Sequence, residues 1–468
     1  MNARPRLLLA VALAVTAVLV PATAQIAVRN QGYIPFDDAP IHYRSEDIHD
    51  PVTQLQRRLD AGQARLRHDG GAHGYLKTVL EQLDIPLSSQ TLVFSKTSFQ
   101  YPKISPEHPR ALYFNDDVYV GVVHEGKEVE VISFDAQQGA VFYILHEQPA
   151  EQPRFERAEL DCTQCHIAAG TRGVPGVLLR SVRPTASGTL ATGAASYITD
   201  QDSPLSQRWG GWYVTGNLAG ASLANAVAAD ADPQASQLHL LPQPQLDPKQ
   251  YLAQTSDQVA LLVLAHQTQA HNLITLTNYR TRIALFNHGG DAALKTPPPL
   301  SQLPEEVQDQ ITRPAEQLLR YLLFATEQPL PELDAKQVIA GSAFAREFAA
   351  RGPRDGQGRS LRDFDLHTRI FRYPLSYLVY SDAFDGLPEP AKGYLYTRLL
   401  DVLRGQDDSG DFDALSATDR RAILEILLQT KPGLPHAWLA YAETHHLPVA
   451  RQPEARPVSA PHQIAAAR

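Results

Sequence analysis

The chain has two cysteines, and both fall in the pentapeptide Cys162-Thr163-Gln164-Cys165-His166. No thiol is left for a disulfide elsewhere, so the fold must stand on its core and on whatever this pentapeptide binds. Two thiols three positions apart can each add to one vinyl group of the same porphyrin. The histidine directly after the second thiol is then held under the iron as its proximal ligand. The spacing therefore predicts one covalent haem c, with Cys162 and Cys165 as thioether sites and His166 as iron ligand. A structural zinc site needs four ligands, usually two such pairs, and the sequence has no second pair. A thioredoxin-type motif would open a helix in a βαβ unit, a pattern missing from the flanks. A redox dithiol and a chance match are the alternatives that remain.

The N-terminal sequence agrees with that chemistry. Arg4 and Arg6 precede an apolar run from Leu7 to Val20, and Ala22-Thr23-Ala24 offers a small-residue cleavage site. This is the pattern of a secretory signal peptide over 1–24, with an uncleaved anchor as the alternative. The expected location is periplasmic or secreted, the compartment in which haem is attached to c-type cytochromes. No later stretch approaches the ~20 apolar residues of a membrane span, so none is expected after cleavage.

Loss of residues 1–24 removes two arginines and no acid, which carries the formal charge from −9 to −11. A surface that acidic argues against nucleic acid and anionic membrane as partners and suits a basic redox protein. About 440 mature residues suggest two or three domains. A simple electron shuttle needs only about a hundred, so most of the chain does more than wrap one haem. The only methionine is Met1, which leaves with the signal peptide. The His/Met axial pair that gives many carriers a high potential is therefore excluded. The sixth position falls to a histidine, a rarer ligand, water, or nothing.

The expected fold class is α+β: an antiparallel β unit before a haem c domain, then a mainly helical C-terminal half. After the signal come a polar, poorly patterned segment over 25–84, with a short helix Tyr75–Leu83, and a β and haem-attachment region over 85–240. Strand signals cover Gln90–Phe99, Ala111–Phe114, Val118–Val123, Val129–Phe134 and Ala140–Leu145, with Glu125-Gly126 turning the central hairpin. A Pro/Ala-rich connector, Ala226 to Pro248, leads to a long helix within 249–290 whose start signal is Ser256-Asp257. A helical domain is expected over 300–447, with helices Pro314–Ala325, Asp334–Ala350, Pro390–Leu403 and Ala417–Leu428. Phe371–Tyr380 reads as buried helix or strand, and 448–468 as a disordered tail.

Further candidates surround the motif. Arg180 and Arg183 follow it closely and suit haem propionates, because the guanidinium fork matches a carboxylate. Trp209 and Trp212, in Arg208-Trp209-Gly210-Gly211-Trp212, are large flat neighbours of the kind a haem packs against, and aromatic core is their plain alternative. Arg208 is a candidate propionate partner or distal polar group. On the long helix His266 and His271 are candidate distal ligands; at ~100° per residue they lie about 140° apart, so one iron cannot take both. His73, His124 and His146 come next.

The stretches CTQCH, QTLVFSKTSFQ, RALYFNDDVYVG, RWGGWYVTG and HQTQAHN together resemble a group of large, exported, single-haem c-type cytochrome-like bacterial proteins. The likeness runs from about 85 to 285, with a weaker part at FRYPLSYLVYS. It carries over the haem motif alone: Cys162, Cys165 and His166. The chain departs from di-haem peroxidases, which carry two such motifs, and from small cytochromes that use methionine.

The leading expectation is periplasmic electron transfer with a redox partner protein or a small-molecule donor or acceptor. The alternatives are a haem enzyme, peroxidase- or oxygenase-like, with an open distal side, and a non-enzymatic sensor of gas or redox state.

Overall fold

Alternation of apolar and polar residues between 90 and 158 builds a sheet, and the computed structural model, which describes residues 34–229, 237–242 and 246–449, gives its register. Strands β1 (Thr91–Val93), β2 (Arg110–Phe114), β3 (Val118–Val122), β4 (Glu128–Asp135), β5 (Gly139–His146) and β6 (Phe155–Arg157) are joined by β9 (Trp212–Tyr213), while β7 (Arg180–Ser181) and β8 (Tyr197–Ile198) pair with each other apart from this sheet. The order is β6-β5-β4-β3-β2-β1-β9, antiparallel throughout. The expected hairpin forms as β3 and β4. Gln90–Phe99 yields only the three-residue β1, after which the chain bends away.

Successive side chains of a strand point to opposite faces. One face presents Leu92, Ala111, Tyr113, Val120, Val131, Val141 and Tyr143 to a single core cluster, together with Val52, Leu55, Val79 and Leu80. Those four come from helices α1 (Pro51–Asp60) and α2 (Leu76–Gln82). The described part of 25–84 thus contributes apolar residues to this core. Its apolar positions are too sparse to show a period, yet Asp50 caps α1 by accepting from Val52 and Thr53 N–H.

The other face carries Phe114, Tyr119, Phe134 and Phe142, and the long helix α4 (Gln258–Lys295) lies against part of it. Asp257 caps α4 by accepting from Val259 and Ala260 N–H, as the start signal requires. The regular helix ends where Gly289 and Gly290 leave helical geometry, at the close of the expected 249–290, and a last turn follows to Lys295. Every residue from Gln258 to Tyr279 is buried.

Helices α5 (Glu305–Leu322), α6 (Ala335–Gly341), α7 (Ala343–Ala350), α8 (Asp382–Asp385), α9 (Glu389–Arg404), α10 (Ala417–Thr430) and α11 (His436–Thr444) form the helical C-terminal half. Ala284 and Leu285 of α4 pack with Ile311 of α5 and Ala391 of α9 in a second core cluster. The fold is α+β. Pro314, read as a helix start, lies inside α5, and the segment 334–350 is two helices because Ser342 ends one and caps the next. Phe371–Tyr380 is neither a long helix nor a strand: Pro374 interrupts it, and only Tyr377–Tyr380 coils into a short 3-10 turn. In the connector, β10 (Ala226–Ala228) pairs with β11 (Leu238–Leu240). The segments expected to be a signal peptide, 1–24, and a disordered tail, 448–468, lie wholly and almost wholly outside the described residues.

From Pro35 on, the chain groups as one compact unit. Among the described residues no helix is long and apolar enough to cross a membrane.

Leu55 is fully buried in the first core cluster, whereas Leu240 is 82% exposed. Leu55→Ala is expected to cost about 2–5 kcal/mol in denaturant unfolding and Leu240→Ala less than about 0.5 kcal/mol.

Candidate functional site

The pentapeptide occupies helix α3, Glu159–His166, between the sheet and a glycine-rich loop. Cys165 is exposed, Cys162 is half-buried, and no disulfide joins them. His166 Nδ1 lies 2.9 Å from the Gly176 carbonyl oxygen, which can only accept, so Nδ1 carries the proton. The Gly176 N–H in turn donates to the His166 carbonyl at 3.0 Å. Burial lowers the pKa of His166, so the ring is neutral and Nε2 bears its lone pair. Nothing among the described residues bonds Nε2. A histidine whose second nitrogen is fixed by a carbonyl is the arrangement that orients a metal ligand.

The ring of His166 sits 5.1 Å from that of Phe142, on the sheet face shared with α4. The registers place Leu112, Gly121, Glu130 and Ile144 side by side on that face, next to the row Phe114, Tyr119, Ile132, Phe142. The helix covers one side, and Phe114, Tyr119, Phe134 and Phe142 are buried. Leu112, Ile132 and Ile144 stay half-exposed. Three branched apolar side chains left open beside two thiols and a free imidazole nitrogen suit a flat apolar group. The donor set therefore fits a covalently attached haem. Among the described residues there is no cluster of three or more His, Cys, Asp or Glu that would hold a bare metal ion.

Arg110 and Glu130 form an ion pair on this same strip, and both act electrostatically on His166. Ser98 and Gln100 donate to Glu130 at 2.9 and 2.8 Å, and Arg110 Nε is buried without a partner. Sequence reading missed Arg110 as a candidate, although alternation from Leu112 puts it on the face beside the motif.

The other candidates are distributed differently. The Arg180 guanidinium donates to Ser196 at the surface and its carbonyl accepts from the Trp212 indole N–H at 2.8 Å. Arg183 is half-buried. Trp209 and Trp212 are buried, and Gly210 and Gly211 between them let the backbone approach Val182 and Ser95, where a Cβ would collide. They close a junction between the 180–182 strand and the end of β1. Arg208 is buried and donates to the carbonyls of Gln201 and Ser203 at 2.8 Å each.

His266 and His271 diverge as their helical spacing requires. His266 turns to the helical half: Nδ1 donates to Gln201 at 2.6 Å, Nε2 accepts from the Ser376 hydroxyl at 2.7 Å, and Phe324 stacks on the ring. Both ring nitrogens are hydrogen-bonded, so His266 is a buried pivot between Gln201 and Ser376. His271 turns to the sheet. The Tyr119 hydroxyl accepts from Gln267 at 2.9 Å and donates to His271 Nδ1 at 3.0 Å, which leaves an N–H on Nε2 that is buried without a partner. His73 is buried, and His124 and His146 lie beside acidic neighbours.

The rest of HQTQAHN holds the loop that follows the Cys-x-x-Cys-His pentapeptide. Gln269 donates to the Gly170 carbonyl at 3.1 Å, and Asn272 both accepts from Val177 N–H at 3.0 Å and donates to its carbonyl at 2.7 Å. A Cβ at Gly176 would fall on the Asn272 carboxamide, so glycine is required for this approach. Compared with known protein families, with curated proteins and with solved structures, the chain finds no match.

Asn272→Ala strips both backbone groups of Val177 of their partner and is expected to destabilise by about 2–4 kcal/mol, read by denaturant unfolding. A second expectation concerns acid. Burial lowers His266 and His271 to about 3, so their stabilising neutral state is lost as pH falls from about 6.5 towards 3. Burial raises Glu327 to about 7, so its contribution grows as pH falls from about 7 towards its ordinary value near 4.3 and offsets part of that loss. Glu327→Gln is expected to lose stability more steeply than the unaltered protein between pH 7 and 5, by up to about 1.4 kcal/mol per pH unit in urea titrations.

Proposed function

We propose that the chain is an exported c-type cytochrome carrying one covalent haem and serving periplasmic electron transfer, akin to the large single-haem proteins its motifs resemble. The observation that carries this reading is His166: the residue after Cys-x-x-Cys, its Nδ1 tied to the Gly176 carbonyl and its Nε2 unspent, beside two thiols and an open apolar strip. Bound there, a haem would supply one-electron chemistry, and the protein residues do the rest. Cys162 and Cys165 tether it, the Gly176 carbonyl orients the His166 ring, and Leu112, Ile132 and Ile144 offer an apolar wall. Arg110, whose Nε has no partner among the described residues, joins Arg180 and Arg183 as a candidate cation for a propionate.

Met1 is the only methionine, so the sixth ligand must be found elsewhere. His271 supports a bis-histidine iron better than His266, because it alone of the two keeps a nitrogen without a partner; that Nε2 would ligate in the tautomer whose Nδ1–H donates to the Tyr119 hydroxyl. The acidic charge of the exported chain favours a basic redox partner. That same unpartnered Nε2–H is what favours the second reading, a haem enzyme with an open distal side where this N–H donates to a bound ligand.

Expressed with the haem-attachment machinery, the protein is expected to keep its haem after denaturation, as a mass increase of one haem per chain. Replacing both cysteines by alanine is expected to abolish the attachment, and an unaltered chain without attached haem would sink the proposal. A low-spin ferric EPR signal that turns high-spin in His271→Ala would identify the sixth ligand. A high-spin signal in the unaltered protein, with ready cyanide binding, would favour the enzyme.

A further inference from the structure

His271 ends a hydrogen-bonded chain that begins in the helical half. The Tyr377 hydroxyl donates to the side-chain oxygen of Gln267, which can only accept. The amide nitrogen of Gln267 donates to the Asn115 carbonyl at 2.8 Å and to the Tyr119 hydroxyl at 2.9 Å. A carbonyl on one side and a hydroxyl donor on the other fix which way the amide points. The Tyr119 oxygen lies 3.0 Å from His271 Nδ1. All four side chains are buried, and the Tyr119 hydroxyl has no further partner among the described residues. Burial keeps the His271 ring neutral near pH 7, so it carries one proton. With that proton on Nε2, the Tyr119 O–H donates to Nδ1 and a single group, the Nε2–H, is left unmet. With the proton on Nδ1, the Tyr119 oxygen accepts twice, and both its own O–H and the bare Nε2 are left unmet. One extra unmet group keeps the first form ahead by about tenfold or more.

We propose that Tyr119, oriented by Gln267 and Tyr377, is a positioning residue that locks His271 as an Nε2–H donor, so that His271 serves the proposed haem by donating to an iron-bound acceptor and not as its sixth ligand. The assignment rests on the haem reading and decides between the two roles that reading leaves to His271. An iron on Nε2 requires the Nδ1–H form and therefore strands the Tyr119 O–H. Removing that hydroxyl abolishes the difference, because both ring nitrogens of His271 are then unmet in either form. Tyr119→Phe keeps the ring, whose contact with Phe134 at 6.1 Å between centroids does not involve the oxygen.

The lock is read without haem, in the full chain expressed without the attachment machinery and labelled with 15N-histidine. Two-bond 1H–15N spectra near pH 7 show which nitrogen of each neutral ring carries the proton, and His271→Ala identifies the signals of His271. An excess of the Nε2–H form by about tenfold or more is expected, falling towards equality in Tyr119→Phe. Comparable amounts of the two forms in the unaltered chain, or an undiminished excess in Tyr119→Phe, would overturn the proposal; should Tyr119→Phe fail to fold, the unaltered chain decides alone. With haem attached, Tyr119→Phe is expected to gain a low-spin ferric fraction that the added His271→Ala removes. A low-spin signal in the unaltered protein that His271→Ala abolishes would show Nε2 on the iron and overturn the donor role. A chain that shows the lock yet attaches no haem would sink the haem reading, and the donor role with it, while the lock itself stands.

Discussion

A helix buried on all sides is affordable only if each polar side chain it carries finds a partner, and α4 carries many. Between Gln258 and Tyr279 it brings two histidines, several amides and several threonines into an interior where an unmet donor or acceptor costs about 1–3 kcal/mol. Gln258 accepts from Leu218 N–H, His266 bridges Gln201 and Ser376, Gln269 reaches Gly170, Asn272 clasps Val177, and the Tyr279 hydroxyl donates to the Gln138 carbonyl. Apart from Gly170 and Val177, which share one loop, the partners belong to different segments. Sliding α4 by one turn would break all of these bonds at once, so its polar residues fix position where an apolar helix would leave it free to shift.

The candidate site inherits its geometry from that helix. Asn272 holds Val177, the neighbouring Gly176 offers its carbonyl to His166, and this bond sets the tautomer of the imidazole. The two histidines foreseen as iron ligands serve the same framework: His266 ties α4 to the helical half, and His271 ties it through Tyr119 to the sheet.

Much of this architecture was legible in the residues. Alternation in β4 and the Glu125-Gly126 turn marked the β3–β4 hairpin, an apolar run rich in aromatic and branched residues marked β5, and Asp257 marked its helix start because a side-chain oxygen there caps exposed N–H groups. The α1 and α2 layer was not legible, because Val52, Leu55 and Val79 are scattered among polar residues and acquire meaning only when the sheet covers them. The Cys-x-x-Cys-His pattern was plain from five residues. The Gly176 carbonyl behind it and Arg110 beside it were not, since one is backbone and the other reaches the motif across the sheet. His266 was ambiguous for a physical reason: an interior histidine offers the same chemistry to a serine hydroxyl as to a metal.

The bonds from α4 to the motif loop span sequence separations of 95 to 99 residues. A chain that emerges N-terminus first presents the loop long before its clamp exists. During that interval the residues around Cys162 and Cys165 have no α4 partner to close on, so they remain an accessible peptide. The order of synthesis thus opens a window for modifying the two thiols, and the arrival of Asn272 closes it.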